Sequence, residues 1–433
     1  MKMLAAGIIS FASISARADD GTVRAGAASG EVTALVGCTL WPGDGPKVDG
    51  ATVVFSASGI VAAGAGASVP AGARTLDVKG RVCTPGLVDA ASHLGAVEVD
   101  YEASTVDVQP AEGKPYAPIH ADFLPADGLN LASALVAIAR AGGLTAVALQ
   151  PEGGIVAGRG TLFELFGTTP AEAVVVPVTA VYAVLGEGAK GGYGGARGHV
   201  TSRLREALDD ARDYARRKAD YEKGQVPRWR ERRASLEALA LVLAGKLPLV
   251  VQASRASDLL EALALAKEYG LRLVLEGAEE GWLVADALAR AKVPVIVHGM
   301  ANAPESFASL AERYENAGLL SKAGVKVALT ALGGAADAHT AGTLRQQAGV
   351  AVANGMEWSA ALRAITRTPA ELFGADKLGL VAPGMTADVV VWSGDPLELS
   401  TRPEHVFVRG VEQSLRTRQT ALFEKYRTLP PRP

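Results

Sequence analysis

The sequence predicts an α/β protein, a (β/α)8 TIM barrel carrying a small β-sandwich domain formed by both chain ends. Two observations lead there. Through the middle of the chain, near-continuous apolar runs alternate with amphipathic helical patterns; LPLVVQAS (247–254), LRLVLEGA (271–278), VPVIVHGM (293–300) and VKVALTAL (325–332) are examples. Such runs fit strands buried on both faces of a parallel sheet, and the strand–helix rhythm fits a barrel. At both ends the texture changes to short valine-rich alternating strands broken by Gly-Asp, Ser-Gly and Lys-Gly turns.

The elements follow in order. Residues 1–18 read as a secretory signal peptide. Lys2 gives a positive start, Leu4 to Ile14 is an apolar run too short to span a bilayer, and Ala16-Arg17-Ala18 fits a small-x-small cleavage site. The expected location is therefore exported, periplasmic or extracellular. Residues 31–84 and 382–418 are expected to form the composite β-sandwich, and 85–381 the barrel, with LVDAA (87–91) as its first strand. GLTAVALQ (143–150) and AVVVPVTAVYAV (173–184) are further strands. GGIVAGRGT (153–161) reads as a loop over the mouth. Residues 201–244 are charged and helical. The run RWRERR lies among Asp209, Asp210, Asp213, Asp220, Glu222 and Glu231, so it reads as a solvated face and not as a nucleic-acid patch.

Composition narrows the function classes. The chain has 433 residues, 49% hydrophobic and 21% charged, with a formal net charge of −3. This near-neutral balance gives no reason to expect nucleic acid. No segment after the leader is a continuous apolar stretch of membrane-spanning length, so no membrane span is expected. Cys38 and Cys83 are the two cysteines. They read as buried thiols on strands, because nothing in the sequence places them side by side.

In a (β/α)8 barrel the reacting groups stand at the C-terminal strand ends. Strand one ends at Ala91-Ser92-His93, strand five at Gln252-Ala253-Ser254, strand six at Glu276-Gly277, strand seven at His298, and strand eight at Thr330-Ala331-Leu332. A catalytic zinc takes three protein ligands plus an open position. Glu276 precedes the last strand-six position and is expected to point the other way.

PGLVDAASHLG (85–95) resembles the PGLIDAHTHLG signature of the amidohydrolase superfamily. ARTLDVKGRVCTPG is similar to the segment leading into it. AALRAITRTPAELFG is similar to the superfamily's penultimate helix, and GLVAPGMTADVVVWSGDPLELSTRPEHVFVRG to its return segment. The closest likeness is to secreted members of the imidazolonepropionase-like group. The resemblance implies one or two metal ions and hydrolysis of amide or related C–N bonds. It also implies the positions of the ligands. The strand-one His-x-His pair falls on Ala91 and His93, the strand-five histidine on Gln252, the strand-six histidine on Gly277, and the strand-eight aspartate on Leu332, or by a shift of register on Ala331 or Gly333. No bridging lysine can be placed.

Of these ligands His93 survives. A metal lowers the pKa of bound water from about 15.7 to about 7, and one histidine does not hold zinc for that task. The expectation is therefore a pseudoenzyme with no cofactor, binding a small-molecule ligand or a related amidohydrolase subunit, with a homo-oligomer as a further possibility. Gly86 and Asp89 are expected to persist for structure, as a strand-start turn and a buried carboxylate. The alternative is an active hydrolase holding Zn at a displaced site from His93, His298 and His339, with Asp337 nearby. A Ser–His arrangement of Ser92 or Ser254 with His93 ranks below that. GEGAKG (186–191) matches G-x-G-x-x-G but runs on into further glycines, which reads as a mouth loop.

Overall fold

The computed structural model describes residues 31–110, 118–189, 195–225, 229–300, 303–304, 306–331 and 337–428. The expected leader, Leu332 and Gly333 lie outside them. The chain begins with five strands, β1 (Thr33–Leu40), β2 (Val48–Ser56), β3 (Gly59–Gly64), β4 (Arg74–Asp77) and β5 (Val82–Pro85). Next come β6 (Leu87–Ser92), β7 (Leu144–Leu149), β8 (Val156–Arg159), β9 (Thr161–Glu164) and β10 (Val174–Val176). The sequence continues through β11 (Val181–Val184), β12 (Leu249–Ala253), β13 (Leu273–Gly277), β14 (Val295–His298) and β15 (Val327–Thr330). It closes with β16 (Val389–Trp392), β17 (Pro403–Val408) and β18 (Val411–Glu412).

Both chain ends share one eight-stranded sheet in the order β18-β17-β16-β5-β1-β2-β3, with β4 alongside β1. Phe55 on β2 and Phe407 on β17 lie far apart in that order, yet their ring centroids are 4.9 Å apart. The sheet therefore curls on itself around an apolar interior that includes Leu35, Phe55, Val389 and Phe407. Cys38 and Cys83 meet there. Their Cα atoms are 6.0 Å apart and the sulfurs are bonded, which corrects the expectation of two thiols. The bond depends on β5 lying parallel to β1 with Leu40 opposite Cys83, a register invisible in the separate segments.

The central strands form two sheets, β10-β9-β7-β6 and β15-β14-β13-β12-β11-β8. β6 and β7 are parallel, and so are β11 through β15. The segment expected as a mouth loop, 153–161, instead carries β8 and leads straight into β9. Val156 and Ala157 on β8 are buried, as are Leu162 and Phe163 on β9. β8 pairs antiparallel with β11, and β9 pairs antiparallel with β7, so this segment passes from one sheet to the other. Gly160 is the crossing point. A Cβ built there would lie 2.5 Å from Tyr182 Cε2 and 2.9 Å from the Leu149 carbonyl. Gly160→Ala is expected to destabilise the protein by about 1–3 kcal/mol through overpacking. A urea midpoint unchanged from wild type would refute this. The run 173–184 also divides, at Pro177, into β10 and β11.

At the opposite side β15 meets β6. The Thr330 hydroxyl donates to the Ala91 carbonyl at 2.7 Å, and the Ala331 N–H donates to Asp89 Oδ2 at 3.3 Å. The persistence of Gly86 has a different cause from the expected turn, since a side chain there would run into Thr145 on β7.

The helices pack apolar stripes against these sheets. Arg197–Glu222 buries Val200, Leu204, Ala207, Leu208 and Ala211, a 3–4 spacing. Ala256–Tyr269 buries Leu259, Ala262 and Leu265 and ends on Gly270 in the left-handed region. The basic run is paired, with Arg230 on Glu206 at 3.4 Å and Arg233 on Glu237 at 3.1 Å. Trp229 lies against Tyr214 and Tyr221. Among the described residues, no helix is long and apolar enough to cross a membrane.

Candidate functional site

Period-two alternation along the strands sets the site. Val88, Ala148, Val250, Val274, Ile296 and Ala328 share one buried apolar cluster between the parallel strands. Two residues further along, on the same faces, stand Gln150, Gln252, Glu276 and His298. These four line a cavity of about 660 Å³ together with His93, Tyr182 and Ala331. The cavity thus opens at the C-terminal strand ends.

Glu276 corrects an expectation. It does not point away; it faces the cavity, 3% exposed, and accepts a hydrogen bond from Gln150 Nε2 at 3.0 Å. The sequence places Gly277 at the inward position instead. The backbone turns left-handed there, with φ +82° at Gly277 and +48° at Ala278. Ala278 adopts that strained conformation because it is held on both sides: its N–H donates to the Ala253 carbonyl at 2.8 Å, and its carbonyl accepts from Asn316 Nδ2 at 2.9 Å. Gln252 pairs directly with Glu276 across β12 and β13, and with Val184 across β11 and β12. At this level, then, β11 presents an isopropyl group, β12 an amide and β13 a carboxylate.

The loops complete the wall. Glu280 anchors them, accepting from the Ala256 and Ala311 N–H groups at 3.0 and 3.2 Å. Glu152, Glu279, Ser254 and Glu312 reach the cavity from loops that follow the strands. Burial lowers the His93 imidazole below its ordinary value, opposed by the charges of Glu152 and Asp100. Burial pushes His298 down to about 4. Both imidazoles are therefore neutral at pH 7. Burial also raises the Tyr182 phenol, with the Glu276 charge adding to the effect.

The structure brings His93, His298, Gln252, Gly277 and Ser254 together on one cavity. His339 does not join them: it is exposed and its Nε2 lies 3.1 Å from the Glu98 carbonyl. Ser92 is committed locally, its hydroxyl accepting from the Leu94 N–H at 3.1 Å. Ala91 is fully buried in the apolar cluster. Ala331 lines the cavity where strand eight ends, while Leu332 is outside the described residues. In GEGAKG, Glu187–Ala189 form a helical turn and residues 190–194 are not described. The sequence reading missed Gln150, Tyr182 and Glu276. Counting inward positions by twos from the apolar cluster would have found them.

The likeness to known proteins is broad. A family model described as "Amidohydrolase family" matches residues 283–413. The solved structure of an amidohydrolase from Thermotoga maritima MSB8 superposes with a TM-score of 0.80 at 26% identity, covering 89% of this chain and 100% of that one. The family model over residues 283–413 and this superposition together support membership of the amidohydrolase superfamily. A curated relative, amidohydrolase tasK of Hapsidospora irregularis, is 38% identical over 60 residues, which is 14% of this chain and 6% of that protein. A molinate hydrolase shares the fold at 19% identity and a TM-score of 0.56, with 89% of this chain and 95% of that chain covered.

The superfamily's metal can be tested against these side chains. Strand one offers Ala91 and His93, strand five Gln252, strand six Glu276, strand seven His298, and the end of strand eight Ala331. Zinc favours imidazole, thiolate and carboxylate donors converging at about 2 Å. Among the described residues, no three His, Cys, Asp or Glu side chains cluster closely enough to hold an ion. Among the described residues, these donors do not make a zinc site.

Proposed function

We propose that this chain is a catalytically degenerate member of the superfamily that uses its cavity to bind a ligand. One observation carries the reading: besides His93 and His298, the strand-end residues on the cavity are Gln150, Val184, Gln252, Glu276 and Ala331, where a metal hydrolase needs convergent donors and a base for water. Alanine and valine supply neither. The amide of Gln252 is a weak donor, and Glu276 is engaged with Gln150. His93 and His298 share the cavity, which leaves an active hydrolase with a displaced site as the second reading. That reading has lost His339 as a third ligand.

The remaining parts of the proposal concern architecture and place. The two central sheets are read as one (β/α)8 barrel spanning 85–381. Its wall is carried across by β8 and β9 on one side and by the Thr330–Ala91 contact on the other. Residues 31–84 and 382–418 form the second domain. The chain is read as exported, because residues 1–18 have the pattern of a signal peptide and a disulfide suits an oxidising compartment. A related amidohydrolase subunit, or a second copy, is the protein partner this reading allows.

Metal content tests the function. The full chain, expressed with zinc and manganese in the medium, is expected to carry close to no metal by mass spectrometry. A ratio near one per chain, lost in His93→Ala, would overturn the reading and make amide hydrolysis the next assay.

A further inference from the structure

We propose that the helix Arg418–Tyr426 is a docking surface for an anionic lipid bilayer, lying along the headgroups without crossing them. This goes beyond the cavity and does not depend on it. The first observation is position. The helix follows β18 and buries none of its residues. Leu422, Phe423 and Tyr426 are 44%, 69% and 62% exposed. The link behind the helix is anchored: Gln413 is buried, its N–H donates to the Val406 carbonyl at 2.8 Å, and Leu415 packs against the main core. The first turn is closed by its own side chains. The Thr420 N–H donates to Thr417 Oγ1 at 3.3 Å, and the Thr417 N–H donates to Thr420 Oγ1 at 2.9 Å. The body therefore holds the helix out and gives its apolar side nothing to pack on. Nine residues are few for a helix standing alone in water, and an apolar surface would stabilise it.

The second observation is how charge is laid around that side. At about 3.6 residues per turn, Leu422, Tyr426 and Phe423 fall within about 100° of arc. Arg418 and Lys425 border the arc on one edge and Arg427 on the other, while Glu424 lies opposite. Residues 416–427 hold four basic side chains against one acidic, on a chain whose formal net charge is −3. Arg416 lies 3.5 Å from Glu424. Lys425 Nζ sits 5.1 Å from the centre of the Tyr426 ring. Arg418 and Arg427 have no ion-pair partner among the described residues. Apolar side chains with cations along both edges match the boundary between acyl chains and anionic headgroups. The rings sink in, and the long basic stems reach back to the phosphates.

Size decides between a bilayer and a second copy of this chain. The two rings offer roughly 300–500 Å² of contact, short of the about 800 Å² that each partner gives to a stable protein interface. A bilayer needs no shape-matched area of that extent, and its hold grows with each basic side chain brought to an anionic surface. Among the described residues no helix is long and apolar enough to cross a membrane, so the contact is lateral.

The test floats the full chain with vesicles of phosphatidylcholine alone and with vesicles in which about a third of the lipid is phosphatidylglycerol. Every protein compared carries the same residues 1–30, so a difference between them belongs to the helix. Binding to the anionic vesicles is expected to be roughly tenfold tighter or more than to the neutral ones, and to weaken with added salt. Leu422→Ser combined with Phe423→Ser is expected to weaken it about tenfold or more. Arg418→Glu combined with Lys425→Glu is expected to remove most of the preference for anionic lipid. These side chains are exposed, so both variants should keep the wild-type urea midpoint. No binding, equal binding to the two vesicles, or binding untouched by both variants overturns the inference. Sedimentation velocity of the same proteins covers the other occupant. The state of assembly is expected to be the same in wild type and variants. A dimer lost in the Leu422→Ser, Phe423→Ser protein would assign this face to a second copy and overturn the lipid assignment.

Discussion

Replacing Cys38 and Cys83 together by alanine is expected to lower the unfolding free energy by about 4 kcal/mol, the chain-entropy value for a bridge of this span. The bond closes a separation of 45 residues and ties β1 to β5 inside the composite sheet. Both residues are fully buried, so alanine leaves no polar group stranded, and the loss of the tether dominates. Urea unfolding of the oxidised wild type, the reduced wild type and the double variant makes the comparison. The last two should fall together, well below the first. If reduction leaves the wild-type midpoint in place, the bond is not holding the sheet.

The second large effect is expected from pH at Asp89. This carboxyl group is 1% exposed. It accepts from the Ala91 and Ala331 N–H groups, both at 3.3 Å, and so joins β6 to the end of β15. Burial raises its pKa to about 7, outweighing the hydrogen bonds from Thr330, Ala91 and Ala331, which lower it. The unfolded chain loses this proton near pH 4. Between pH 4 and 7 the native state therefore holds a proton that the unfolded state has released, and stability falls as pH rises. Above 7 the contribution is constant. Three units of difference correspond to about 4 kcal/mol across that window. Asp89→Asn cannot titrate, so its slope between pH 4 and 7 should be flatter by that amount. It should also be less stable at pH 4 by about 1–3 kcal/mol, because one amide end faces an N–H that needs an acceptor. Parallel pH profiles for the two proteins would refute the assignment.

Much of this architecture was legible in the sequence because long apolar runs have few alternatives to buried parallel strands. LVDAA, GLTAVALQ, LPLVVQAS, LRLVLEGA, VPVIVHGM and VKVALTAL all contain the strands they suggested. The β8–β9 passage was not legible, because its glycines resemble a loop until Tyr182 is seen packed over Gly160. The site was legible as a set of strand ends but not in phase. Gly277 is the last residue of β13, yet its left-handed turn makes Glu276 the inward one. A one-residue error reverses every side chain on a strand, and it turned the strand-six carboxylate of the cavity into an apparent outsider. The disulfide was illegible for another reason: neighbours in a sheet are set by strand order, which no local pattern contains.

The order of strands in the composite sheet has a consequence for how the chain is made. β5 lies between β1 and β16, and β16 begins only at Val389, after the whole central region. While the ribosome works through that stretch, β5 presents an unsatisfied row of backbone donors and acceptors, an invitation to pair with any strand that arrives first. The Cys38–Cys83 bond lies wholly within the portion already synthesised. Once formed, it fixes β5 against β1 on one side and leaves its other side in place for β16. The bridge then serves as a placeholder, keeping a berth open for the last part of the protein to arrive.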